Sequence, residues 1–271
     1  MVVLNKIIDH HVHTDFSPDC KTSMESTIAR AKQLGLLGLL FTDHVDFDSP
    51  DPLFQDYIDY NVYMKKLEEV RKKNPELQFL MGVEIGYQPH IHDRLNKFLG
   101  EFPFDFVICS MHVCDKLDFY NGDFFIGKTQ KESYLAYFDA VRKSVEEYDN
   151  FDVYGHLDYI IRYGPFEQKV LNYEQYKEAI DSVLLAIIEK GKGIELNTSG
   201  LRYNLGTMHP KIDILKSYKQ LGGEIITLGS DAHKAEHLQA DFDMGLELIK
   251  EAGFDYLAQF KNRKPSLIKI S

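Results

Sequence analysis

The sequence predicts a parallel α/β fold, a single domain over residues 1–271, on three observations. Short β-rich runs alternate with longer helical patterns from end to end, the rhythm of repeated strand–helix units. No Pro/Gly/Ser-rich linker, low-complexity tract or internal repeat breaks that rhythm. With 271 residues, 44% of them hydrophobic, the chain can bury a large core.

Seven strands are expected, near Ile7–His11, Gly38–Thr42, Phe79–Glu84, Phe106–Ser110, Val153–His156, Gly193–Asn197 and Ile225–Gly229. The first helix is expected over Ser23–Leu34, with Thr22 and Glu25 at the spacing of a capping box. The second covers about Tyr57–Lys73 and is stopped by Pro75, which cannot continue a helix. Further helices are expected near Lys131–Tyr148, Ile212–Leu221 and Leu238–Ala252. The clearest is Tyr173–Lys190, where Tyr173, Tyr176, Ile180, Val183, Leu184, Ile187 and Ile188 recur at helical spacing before Gly191. The turn-rich stretch Asp46–Pro52 and the aromatic stretch Asp115–Lys128 each follow a strand and are the candidate functional loops.

Composition excludes several classes of function. A net charge of -11 with no basic stripe argues against a nucleic-acid partner. The longest run of apolar and glycine residues, Leu34–Phe41, is far too short to span a membrane. Asp9, His10 and His11 interrupt any secretory pattern at the N-terminus. Cys20, Cys109 and Cys114 form neither a disulfide framework nor a CxxC knuckle, so a reducing, cytoplasmic setting is expected. Oligomeric state leaves no pattern to read.

The chemistry lies in where the histidines and acids fall relative to the strands. His11 and His13 end the first strand, His44 follows the second and Glu84 ends the third. His112 follows the fourth, His156 ends the fifth, and Asp231 with His233 follow the seventh. In parallel barrels the loops after the strands share one face, so these distant residues are expected to converge. Residues at i and i+2 on a strand point the same way, which lets His11 and His13 chelate one ion while His10 and Val12 face away. Imidazoles with carboxylates suit zinc, iron or manganese, and Glu84 can bridge two ions. Such clusters bring the pKa of bound water toward neutrality, generate hydroxide and clamp a phosphoryl group. Their positive charge lets an acidic protein hold an anionic small molecule such as a phosphate ester.

These motifs, from Asp9-His10-His11-Val12-His13-Thr14 to Gly229-Ser230-Asp231-Ala232-His233, resemble in their order the PHP (polymerase and histidinol phosphatase) superfamily. Within it the chain is most similar to the monofunctional histidinol-phosphate phosphatases of histidine biosynthesis. The resemblance implies a distorted seven-stranded (β/α)7 TIM-like barrel with three divalent metal ions. It implies that His11, His13, Glu84 and Asp231 hold the first ion, Glu84, His112 and His156 the second, and Asp19, His44 and His233 the third. Asp19, in Ser17-Pro18-Asp19, also reads as an ordinary turn residue.

The segments Gly155–Arg162 and Glu195–Arg202 resemble the same branch, and each sets an arginine soon after a strand end. Arg162 and Arg202 are therefore the expected phosphate-binding residues, although an arginine at such a position also serves in surface ion pairs. The implied reaction is hydrolysis of L-histidinol phosphate to L-histidinol and inorganic phosphate; no residue is singled out as proton donor to the leaving group. The alternatives are a relative acting on nucleotides or phosphotyrosine, and a non-catalytic metal-binding barrel. His10, His90, His92, His209 and His237 fall outside the matching positions and are expected at the surface or behind the ligands, with His209 the foremost exception.

Overall fold

The computed structural model describes residues 4–54 and 58–270. In chain order the elements are α1 (Met24–Leu34), β1 (Gly38–Phe41), β2 (His44–Val45), α2 (Tyr60–Lys73), β3 (Gln78–Gly86), α3 (His92–Glu101) and β4 (Phe106–Ser110). There follow β5 (Val113–Cys114), β6 (Leu117–Asp118), α4 (Gln130–Glu147), β7 (Val153–Tyr154), α5 (Tyr173–Glu189), β8 (Gly193–Asn197) and α6 (Ser199–Arg202). The chain closes with α7 (Ile212–Gln220), β9 (Ile226–Gly229), α8 (Phe242–Glu251), β10 (Tyr256–Lys261) and β11 (Lys264–Lys269).

Seven strands build one parallel sheet in the order β1-β3-β4-β7-β8-β9, with β2 pairing the far half of β3. The sheet curls, and the segment expected as the first strand closes it without forming a regular ladder. There, Val12 bridges Ala232, His10 N–H donates to Leu228 O at 3.1 Å, and Thr42 N–H donates to Val12 O at 2.8 Å. The physical reason is that side chains take the donors a ladder would have paired. Thr42 Oγ1 accepts from Val12 N–H, and the Asp9 carboxylate accepts from the N–H groups of His11, Ser230 and Gln239.

The six expected helices form, with shifts at their ends; α3 and the short α6 were not among them. α1 is capped by Ser23, whose side chain accepts from Ser26 N–H, rather than by the Thr22–Glu25 box. The capping box in this fold joins Thr129 to Glu132 and opens α4. α2 starts at Tyr60, where Asp59 accepts from two N–H groups; Tyr57, the expected start, lies outside the described residues. α8 begins at Phe242 rather than Leu238.

Strand alternation divides the interior. Leu39, Phe41, Phe79, Met81, Val107 and Cys109 pack outward with the helices, whereas Leu40, Leu80, Phe106, Ile108 and Val153 fill the bottom of the barrel. The hairpin β10–β11, not foreseen in the sequence, plugs that bottom with Ala258 and Phe260. Continuing two residues at a time up β3 from Leu80 brings Gly82, Glu84 and Gly86 to the same inner face, so one strand carries an apolar base and a carboxylate top.

Candidate active site

Glu84 sits at the centre of the open end, 1% exposed, with its two oxygens facing different imidazoles. Oε2 lies 3.1 Å from His11 Nε2, 3.6 Å from His13 Nε2 and 3.1 Å from His44 Nδ1. Oε1 lies 3.3 Å from His112 Nε2 and 2.9 Å from His156 Nε2. Asp231 Oδ1 approaches His13 Nε2 at 3.4 Å and His233 Nδ1 at 3.3 Å. Asp19 Oδ2 is 3.0 Å from His233 Nε2 and 3.8 Å from His44 Nε2, so the turn residue joins the cluster. All nine residues expected as ligands therefore meet at one end of the barrel.

The rings are aimed by acceptors on their other nitrogens. The Nδ1–H of His11 donates to Glu195 at 2.7 Å, that of His13 to Ser17 Oγ at 3.1 Å, and that of His112 to Asp46 at 2.6 Å. Ser17 in turn donates to Asp43 at 2.7 Å. Each bond favours the tautomer that leaves Nε2 free to bind a cation shared with the carboxylates. Gly86 makes room for Asp46, because a methyl group at that position would overlap the Asp46 carboxylate. Asp43, Asp46 and Glu195 were not singled out in the sequence, since an acid inside or just after a strand looks the same whether it supports a histidine or faces water.

The donor set fits divalent metal. Among the described residues, His11 Nε2, His13 Nε2, His44 Nδ1 and Glu84 Oε2 are buried without a hydrogen-bond partner, an expensive arrangement unless a cation satisfies them. Three-residue groups with ligand atoms close enough to share an ion include His11, Glu84 and His156; His11, His13 and Asp231; and His13, His44 and His233. Mixed imidazole and carboxylate oxygen is the ligand chemistry of zinc, iron and manganese.

Electrostatics follow from this crowding. Burial would raise the Glu84 carboxyl, but the imidazoles of His11, His44 and His112 hold it well below the usual range. Burial together with the rings of His233 and His44 pushes His13 down to about 3, leaving it neutral and free to donate a lone pair.

A cavity of about 330 Å³ opens above the cluster. Both loops marked in the sequence reach it, one through Ser49 and Asp51 and the other through Asp118, Phe119 and Tyr120. Arg162 lines it, its guanidinium 3.3 Å from the centre of the Tyr203 ring and also over Tyr159 and Tyr163. Arg202 is not among the lining residues; its Nη2 donates to the carbonyls of Ser230 and Asp231, and its Nη1 is buried without a partner.

The remaining histidines divide. His90 is exposed and His92 and His237 are partly so, near the expectation. His10 is instead buried below the cluster, and His209 is buried with its Nδ1 2.5 Å from Asp158.

Residues 9–199 match the PHP domain model. The histidinol-phosphatase of Lactococcus lactis subsp. lactis is 32% identical over 96% of this chain and 96% of its own. A crystal structure of histidinol phosphate phosphatase from that bacterium, complexed with zinc, L-histidinol and phosphate, matches with a TM-score of 0.87 at 31% identity, covering 96% of this chain and 99% of that one. The histidinol-phosphatase of Bacillus subtilis is 24% identical, covering 88% of this chain and 98% of the relative. On the family match and the Lactococcus relative together, this chain belongs to the PHP domain family.

Proposed function

We propose that the chain is a metal-dependent phosphomonoesterase that hydrolyses L-histidinol phosphate to L-histidinol and inorganic phosphate. The observation that carries the reading is the position of Glu84, whose two oxygens face two sets of imidazoles at the floor of a cavity that also holds Arg162. The choice of substrate is supported by the similarity to the Lactococcus histidinol-phosphatase and its L-histidinol complex.

Three divalent ions, zinc, iron or manganese, would be held by His11, His13, Glu84 and Asp231; by Glu84, His112 and His156; and by Asp19, His44 and His233. When bound, such ions supply Lewis-acid charge and lower the pKa of water toward neutrality. The chain's own groups bind and orient. Arg162, fixed by Tyr203, is placed to pair with phosphate oxygens, as its planar fork suits. Arg202 steadies the loop that carries Asp231 through two carbonyls. Leu53, Phe54 and Phe119 keep the cavity wall apolar and limit bulk water. Attack of water on phosphorus breaks the P–O ester bond, and the departing alcohol takes up a proton.

The test is hydrolysis by protein stripped with chelator and then given zinc, iron or manganese separately. The substrates are histidinol phosphate, nucleotide monophosphates and a phosphotyrosine peptide. Activity on histidinol phosphate that vanishes with chelator and returns with metal is expected. Preference for a nucleotide or phosphotyrosine would replace the substrate, and turnover indifferent to chelator would remove the metal.

A further inference from the structure

We propose that Glu195 is a positioning residue that ties the first two ligand groups to each other, an inference that rests on the metal-binding reading above. Glu195 lies in β8, fully buried, and three donors converge on it. Oε1 accepts from His11 Nδ1–H at 2.7 Å. Oε2 accepts from His156 N–H at 3.0 Å and from Asn197 Nδ2 at 3.1 Å. His11 belongs to the first proposed group and His156 to the second, and both reach opposite oxygens of Glu84. One carboxylate therefore sets the ring tautomer in one group and the backbone in the other.

The surrounding sequence makes the slot. A methyl group at Gly229 would overlap Glu195 Oε1. His156 carries a φ of 22°, a conformation disfavoured for a residue with a side chain, and its N–H is the one that Glu195 holds. A carboxylate whose only duty was to balance charge would not require a bond to backbone in this conformation or the glycine at position 229.

Glu195→Gln separates positioning from packing. Glutamine has nearly the same size but only one acceptor oxygen, so its amide must face a donor. If it faces His11, the ring is driven to the Nε2–H tautomer and loses the lone pair aimed at Glu84. If it faces His156, two N–H groups meet and the backbone shifts. Chelator-stripped wild type and variant are titrated with zinc against a chromophoric competitor, bound zinc is counted by mass spectrometry, and ring tautomers are read by long-range ¹H–¹⁵N correlation. Two of the three zinc ions are expected to bind roughly 10–100-fold more weakly, with a changed His11 tautomer, while the ion held by Asp19, His44 and His233 keeps its affinity.

Wild-type affinity for all three ions in the variant, or equal weakening of all three, would overturn the inference. Should circular dichroism show that the glutamine variant does not fold, Glu195→Asp replaces it, with a smaller loss expected in the same two ions and unchanged binding overturning the idea. A wild type that binds no zinc would fail the metal reading itself, so the two failures are distinct.

Discussion

His10 and His11 are adjacent in sequence and equally buried, yet the barrel puts them to opposite uses. His10 points toward the base, where its Nδ1–H donates to Ile8 O at 2.8 Å and its Nε2 accepts from Phe260 N–H at 3.2 Å. Its ring also meets Phe106 edge-on, and burial pushes its pKa down to about 4, so it stays neutral and ties the N-terminal segment to the closing hairpin. His11 points toward the open end, where one nitrogen is anchored on Glu195 and the other is buried facing carboxylates with no hydrogen bond of its own. Burial does not distinguish these two histidines. Between them, the difference is whether both nitrogens are satisfied within the protein.

The sharpest way to break the contrast is to remove the centre of the open end. Glu84→Gln withdraws the charge shared by five imidazoles, and kcat/KM on histidinol phosphate is expected to fall on the order of 10³-fold, with loss of bound metal and an unchanged circular dichroism spectrum. Full turnover in that variant would show that the cluster is not the site.

At the other end, His10→Ala leaves a cavity and two unpaired backbone groups, a cost of ~3 kcal/mol. Thermal unfolding of the stripped protein should drop by roughly 6–10 °C while kcat/KM and metal content of the folded enzyme hold. A loss of metal there comparable to that of His11→Ala would erase the distinction between the two neighbours.

A smaller effect sharpens the open end alone. Arg162→Ala should forfeit ~2 kcal/mol of phosphate binding, a rise of about thirtyfold in KM with kcat changed much less. An unchanged KM would leave Arg162 as an arginine packed on tyrosines.

Much of this was legible in the sequence because strand ends in a parallel sheet share a side. Six of the seven expected strands form in the sheet, and Asp19 joins the cluster despite its ordinary turn context. The first expected strand failed as a ladder because Asp9 and Thr42 compete for its backbone partners, a competition invisible until residues far apart are neighbours. The closing hairpin turns at Asn262 and Arg263, both at positive φ and held by the Asp105 main and side chains. Nothing local in those residues names Asp105.

The sequence by itself determined the alternation of strands and helices, the convergence of His and acid positions, and the kind of chemistry they allow, because periodicity and residue type are local properties. Only the tertiary structure decided which partners satisfy the nitrogens of His10 and His11, which acids stand behind the rings, and that Arg162 rather than Arg202 lines the cavity. Those choices depend on which hydrogen-bond partners remain once the barrel closes, and that is a property of three-dimensional proximity, with no counterpart along the chain.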